Sequence, residues 1–187
     1  MSRRFHPLYH QLKQAIENEQ TGQLERADIF YYGGWLHNGI HVVDTLRYLF
    51  ESDFEEMQLF DSVDHESNDP TFSVRCKLQG SNADIWIHGL KDSHYQVFDF
   101  DFKFTGGRLQ IRNFESDITW EAARTNVKGE SVLVQEQLFK ETPTYSPMEA
   151  LYSQIGGFLH GDGEGMLAKV TMGQVAPVMK TLWRIHD

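Results

Sequence analysis

The densest run of residues able to move protons or hold a metal is Gly33-Gly34-Trp35-Leu36-His37-Asn38-Gly39-Ile40-His41-Val42-Val43-Asp44. His37, His41 and Asp44 stand at i, i+4 and i+7, two imidazoles and a carboxylate, which are the donor types of a zinc site. Two neighbours argue against a metal. A zinc-protease helix needs Glu directly after its first His, where this chain has Asn38, and Gly39 interrupts the helix interior. The other chemistry is proton transfer. His41 would sit in the first turn of a helix, where the positive end of the dipole favours a neutral imidazole that can take a proton from a hydroxyl or return one to a carbonyl. A half-buried cap histidine, with Asp44 holding its ring or a backbone amide, accounts for the same residues. Residue types alone leave these two readings level.

Other chemistry-bearing positions read more plainly. Gly161-Asp162-Gly163-Glu164-Gly165 lacks the G-x-G-x-x-G spacing, follows no strand, and carries two carboxylates that would repel a diphosphate, so it reads as an interhelical loop. Cys76 falls in a strand pattern with no nearby His and reads as a packed thiol. His6 and His10 bracket Pro7 and read as a solvated helix edge, and Arg3-Arg4 as an exposed end.

The elements that must position these residues follow from periodicity. After Pro7, the residues Leu8, Leu12, Ala15 and Ile16 make one face of an amphipathic helix, with Gly22 as its stop. Leu24 to Tyr32 is a strand. Asn38 to Phe50 is a second helix, with Asn38 as N-cap and His41, Asp44 and Tyr48 on one side in mutual reach. The period then changes to two. Met57 to Val63, Thr71 to Leu78, Ala83 to His88, Val97 to Phe104, Leu109 to Asn113, Ile118 to Thr125 and Val132 to Phe139 all read as strands. In Val97-Phe98-Asp99-Phe100-Asp101-Phe102-Lys103-Phe104 the four phenylalanines share one face, and Thr105-Gly106-Gly107-Arg108 turns the chain into a hairpin. Two helices close the sequence. Ser146-Pro147-Met148-Glu149 caps the first, which carries Ala150, Leu151, Ile155 and Phe158, and Thr171-Met172-Gly173-Gln174 caps the second. No long helix separates the later strands. The fold class is therefore α+β: an open, largely antiparallel sheet with helices packed on one face.

Composition bounds the rest. At 187 residues, 40% hydrophobic and 24% charged, the chain reads as one soluble globular domain spanning 1–187. Its formal net charge of −10 argues against nucleic acid or anionic lipid as a partner. A single cysteine, and no apolar signal core or membrane-length run, make the cytoplasm the expected address. A sheet with helices on one face only is expected to pair with a copy of itself through the other face, around Trp86, as a homodimer or homotetramer.

These residues resemble the Gfo/Idh/MocA family of NAD(P)-dependent oxidoreductases. Ser2-Arg3-Arg4-Phe5-His6-Pro7, the helix after it and Gly22 resemble the segment that follows that family's nucleotide-binding domain. The Gly33-Gly34 to Asp44 cluster is similar to its Gly-Gly followed by Asp-x-Gly-x-His-x-x-Asp, and the Phe-rich strand and Thr105-Gly106-Gly107-Arg108 resemble its glycine hairpin. The resemblance implies a dihydrodipicolinate reductase-like C-terminal domain of the glucose-fructose oxidoreductase type, the part that binds substrate and mediates oligomerisation. Neither the Gly-rich fingerprint nor the Glu-Lys-Pro lysine of the N-terminal Rossmann domain is in the sequence, so that domain is expected to be absent. The implied function is oxidation or reduction at a sugar, sugar-nucleotide or polyol hydroxyl, with His41 as catalytic acid/base and Trp35, His37, Asn38 and Asp44 around the substrate. NAD or NADP would serve the intact two-domain enzyme. None is expected to bind this chain alone, although Arg3 and Arg4 would lie near the cofactor domain. One departure stands out: the family's motif Asp falls on position 37, which is His37 here. The alternative is a standalone, non-enzymatic dimerisation or small-molecule-binding module that kept the fold.

Overall fold

The computed structural model describes residues 2–63, 68–91, 95–139, 147–160 and 176–182. A 3₁₀ turn, Ser2–Phe5, leads into α1, Pro7–Glu17. Pro7 occupies the first helical position, where its missing N–H costs nothing, and His6 caps the helix by accepting the Leu8 N–H at Nδ1, 3.2 Å away. Leu8, Tyr9, Leu12 and Ala15 are buried along the expected face. Gly22 is not the stop. The helix ends at Glu17, and Gly22 (φ +73°) lies where the chain passes the later hairpin, so that a Cβ there would stand 2.2 Å from Thr105 Oγ1.

The sheet has eight strands: β1 Leu24–Tyr32, β2 Phe54–Val63, β3 Thr71–Leu78, β4 Asp84–Leu90, β5 Phe98–Phe104, β6 Gly107–Arg112, β7 Asp117–Thr125 and β8 Ser131–Glu136. Their spatial order is β2-β3-β4-β1-β5-β6-β7-β8. Every neighbouring pair is antiparallel except β1 and β4, which run parallel because α2 (Ile40–Phe50) and the β2–β3 hairpin return the chain between them. The result is the expected α+β fold with an open, mostly antiparallel sheet.

Side-chain alternation sorts the two faces. Ala27, Ile29 and Tyr31 of β1, Ile85 and Ile87 of β4, and Phe98, Phe100, Phe102 and Phe104 of β5 all point to the face covered by α1 and by Val42, Val43, Leu46 and Leu49 of α2. Phe100 and Phe102 stack with ring centroids 5.6 Å apart. Burying each such ring contributes about 2–3 kcal/mol, which makes this row of phenylalanines the keel of the core.

The opposite face, around Trp86, is the one expected to pair with a copy. It is laced with ion pairs, including Arg26–Asp28 (2.7 Å), Lys103–Asp28 (2.8 Å), Arg108–Asp101 (2.6 Å) and Arg75–Asp84 (2.8 Å). One aromatic island interrupts them: His88 stacks on Phe30 at 4.7 Å and lies beside Trp86 and Phe60, with Arg26 and Arg75 over the Trp86 ring. Helix α3, Pro147–Leu159, and a helical stretch at 176–182 complete the described chain, Val178 and Leu182 joining the core. The expected caps at Ser146 and at Thr171 to Gln174, and the loop Gly161 to Gly165, lie outside the described residues. Among the described residues no helix is long and apolar enough to cross a membrane.

Candidate functional site

The site is built where β1 leaves the sheet. Gly33 (φ +53°) and Gly34 (φ +75°) take left-handed conformations, and the backbone then winds through a wide π-helical turn, Gly34–Gly39, straight into α2. The first N–H groups of such a turn have no partner within it. Segment 69–71 supplies them. Thr71 Oγ1 accepts from the Gly34 N–H at 2.8 Å, the Pro70 carbonyl from Trp35 at 2.9 Å, and the two Asp69 oxygens from Leu36 and His37 at 2.7 and 2.8 Å. Asn38 ties the turn to its own start, its amide donating to the Gly33 carbonyl at 2.9 Å.

This geometry revises several expected roles. Asn38 is not an N-cap: the backbone is already helical there and Gly39 (φ −56°, ψ −32°) continues into α2. Trp35 is fully buried between Tyr31 and Phe72, with its indole N–H on the Leu182 carbonyl at 3.1 Å, so it braces the turn and presents no surface to a substrate. Gly39 makes room for it, since a Cβ there would stand 2.5 Å from Trp35 Cε3. Asp44 is 1% exposed and holds Arg4, whose Nη2 and Nε lie 2.6 and 2.8 Å from its Oδ1. Tyr48 turns to His10, its hydroxyl 2.7 Å from Nδ1. Of the expected set, His37 is exposed and His41 is half-buried. With His37 outside and Asp44 committed to Arg4, the metal reading loses its ligand set, and among the described residues no group of three or more His, Cys, Asp or Glu is placed to hold a metal.

His41 meets the edge of Phe98, ring centroids 6.5 Å apart. Burial, reinforced by the charge of Arg3 and by His37, pushes its imidazole down to about 4, so it is neutral at pH 7. The helical backbone starts at Gly34, so His41 is no longer in a free first turn, and loss of solvent does what the dipole was expected to do.

The sequence reading missed the other half of the site. Arg3 and His6 are 7% and 1% exposed, not an open end and a wet edge. The Arg3 Nε lies 2.6 Å from Glu115 Oε1 and 3.1 Å from the Tyr9 hydroxyl, which itself donates to Glu115 at 2.7 Å. Its guanidinium carbon rests 3.8 Å above the Phe98 ring centroid, the ring that His41 touches. Glu115 reaches inward because Asn113, Phe114 and Glu115 all adopt positive φ (51°, 53° and 70°) in the β6–β7 turn. No local pattern announces a pair 112 positions apart. Asp69 did leave a signal, the turn-favouring Asp-Pro before a strand. Cys76 is buried as expected, its thiol pushed up to about 12 by loss of solvent.

In sum the site offers one neutral base against an aromatic wall, with a buried cation behind that wall. It can accept, hold and return a proton. The amides of Gly33, Gly34, Trp35, Leu36 and His37 are all bonded within the protein, Gly33 to the Leu90 carbonyl at 3.4 Å, so this turn presents none of them to a ligand.

No family model and no curated relative matches the chain. Solved structures do. The dehydrogenase MviM from Clostridium difficile superposes with a TM-score of 0.64 at 18% identity, over 98% of this chain and 59% of its own. An aldose-aldose oxidoreductase from Caulobacter crescentus gives 0.66 at 11% identity, over 98% and 59%. A super-repressor mutant of Gal80p from Saccharomyces cerevisiae gives 0.61 at 14% identity, over 97% and 59%. These neighbours are of the Gfo/Idh/MocA type that the sequence resembles, and the chain spans about three fifths of their length. At these identities the likeness is one of architecture, and what it shows is that this chain has the α+β fold found in Gfo/Idh/MocA-type oxidoreductases.

Proposed function

We propose that the chain is the substrate-side and oligomerisation domain of an NAD(P)-dependent oxidoreductase acting on a sugar, sugar-nucleotide or polyol hydroxyl. The observation that carries this is His41: a neutral, half-buried imidazole against Phe98, on a helix whose entry turn is braced by four hydrogen bonds. A base poised below neutrality accepts the proton of a substrate hydroxyl during oxidation and returns it during reduction. His37, exposed one turn earlier, orients a substrate hydroxyl. Asn38 and Trp35 set the turn and Asp44 holds Arg4, so all three act on the substrate only through His37 and His41. The glycine-turn amides are already bonded within the protein and would not hold a diphosphate, which supports assigning these residues the proton and leaving hydride transfer to a cofactor held by another domain.

Fluorescence titration with NADH and NADPH tests this directly. The expected result is no saturable binding to this chain, and tight saturable binding would overturn the assignment. The coding DNA upstream of Met1 is the second test. A strand, a Gly-rich turn and a Glu-Lys-Pro there support the enzyme.

A non-enzymatic module is the other reading, favoured by His37 at the motif's Asp position and by a fold neighbour that is a repressor variant. An upstream sequence without those features supports it. In either reading the aromatic island at Trp86, Phe60, Phe30 and His88 is the centre of a sheet-to-sheet contact between copies. Light scattering that gives a single 21.7 kDa chain would refute that contact.

A further inference from the structure

The end of the domain remote from His41 carries a cavity of about 730 Å³ that neither the proton chemistry nor the outer sheet face uses. It lies where α1 and α2 end, between the start of β1, the β3–β4 turn and the β5–β6 turn. His41 and Phe50 occupy opposite ends of α2, about 14 Å apart along its axis, so this is a separate place. Its size is that of a small-molecule site.

The frame of the cavity is tied by the backbone. Thr105 donates its N–H to the Gln23 carbonyl at 2.8 Å and accepts the Gln23 N–H at Oγ1, 3.0 Å away, and Gly106 donates to the Thr21 carbonyl at 3.0 Å. On the other wall the Gln79 N–H meets the Asp53 carbonyl at 2.8 Å, and Ser52 Oγ donates to the Gln79 carbonyl at 3.1 Å. What the frame leaves over is side chains. The amide groups of Gln23, Gln79 and Asn82 make no hydrogen bond to the described residues. Beneath them Ile16, Leu24 and Phe50 form a floor that the core leaves partly uncovered. Unbonded amides held on a fixed backbone over an apolar floor are the make-up of a preformed binding site.

Charge narrows the ligand. The one charged side chain among the lining residues is Glu19, presented from a left-handed position (φ +56°), and the carboxyl ends of α1 and α2 add partial negative charge. An anion would meet no cation there. Each primary amide both donates and accepts, as a hydroxyl does, and the floor suits the C–H face of a saturated ring. We propose that this cavity binds an uncharged polyhydroxylated ring, a sugar or cyclitol, at a site distinct from His41. Gln23, Gln79 and Asn82 take its hydroxyls, and Ile16, Leu24 and Phe50 take its ring face. Nothing in this site depends on His41 being the acid/base.

Heteronuclear NMR of the full chain reads the side-chain NH₂ groups of Gln23, Gln79 and Asn82 directly. D-glucose, D-galactose and myo-inositol are titrated separately to about 50 mM, well above the millimolar Kd that a few hydrogen bonds support, with gluconate as the anionic counterpart. At least one neutral compound is expected to shift the three amides together and saturably, and gluconate to bind more weakly. Gln79→Ala combined with Asn82→Ala, both on an exposed turn, is expected to weaken binding about tenfold while circular dichroism stays unchanged. His41→Asn is expected to leave it as it was. No saturable shift of these amides with any neutral compound, gluconate binding as tightly, or full affinity in the double variant overturns the proposal. A titration that moves the His41 ring and not these amides also overturns it, while supporting the acid/base reading. The failure of that reading looks different: His41→Asn would leave turnover of the complete enzyme intact, and the amide shifts would persist.

Discussion

Gly34→Ala should damage the fold through one side chain, Asp69, and the size of the effect can be worked from the structure. An alanine at φ +75° costs about 1–2 kcal/mol. Its Cβ would also stand 2.3 Å from Asp69 Oδ2 and 2.9 Å from Asp69 Cγ, which is too close to keep. The carboxylate must swing away and give up the Leu36 and His37 amides. Each such bond is worth about 1 kcal/mol for a partly exposed acceptor, so the total is about 3–4 kcal/mol. Asp69→Ala alone removes the bonds and costs about 2 kcal/mol. If the clash is the mechanism, the two changes are not additive. In the Asp69→Ala background Gly34→Ala adds only its conformational term, and the double variant loses about 3–4 kcal/mol rather than 5–6. Urea unfolding followed by tryptophan fluorescence reads all four corners of this cycle. An additive double variant, or a Gly34→Ala protein within about 1 kcal/mol of the parent, would refute the argument that Asp69 braces the turn carrying His41.

Three other outcomes follow from groups already described. Because His41 is held near 4 in the folded chain and titrates near 6.5 when unfolded, its contribution to stability is full above about pH 6.5 and is lost as pH falls towards 4; His41→Asn should flatten that part of a stability–pH curve measured by urea midpoints. Asp28, held down at about 2 by hydrogen bonds from Arg26 and Lys103, stabilises the fold above its unfolded value of 3.8 and ceases to as pH falls through 2, so Asp28→Asn should remove part of the acid slope in that window only. Cys76 should resist a thiol reagent such as dithionitrobenzoate in the native protein and react within seconds in 6 M guanidinium, whereas rapid native reaction would contradict its burial.

The central strands were legible because one face is buried and the other is not, whereas β8 is exposed throughout. Val97-Phe98-Asp99-Phe100-Asp101-Phe102-Lys103-Phe104 states its own period, and β3 begins and ends where the sequence places it. The position of His41 was legible for the same local reason, a polar cluster between a strand end and a helix. Its surroundings were not. Trp35, Asn38 and Asp44 look like site residues in a list of polar and aromatic types, yet each is turned inward by contacts with Leu182, Gly33 and Arg4 that only the fold creates. Arg3 misled in the opposite direction. A basic pair before a helix normally stays in water, and nothing within a window of sequence shows that Glu115, in the β6–β7 turn, will cover Arg3. The ion pairs of the outer face were not legible, because alternation reveals that a face is solvated or paired but not how its charges will be matched across strands.

The central place of β1 bears on when the site comes into being. β1 precedes every other strand of this sheet in sequence, yet its partners are β4 and β5, so it waits unpaired until both later strands have emerged, and no hairpin of its own can nucleate it. The clamp on Arg3 waits longer still, for the β6–β7 turn that brings Glu115. The His41 environment is therefore among the last parts of the molecule to close. A chain interrupted anywhere before the β6–β7 turn leaves Arg3 without its carboxylate, so the closed surroundings of His41 report that most of the sheet has been built.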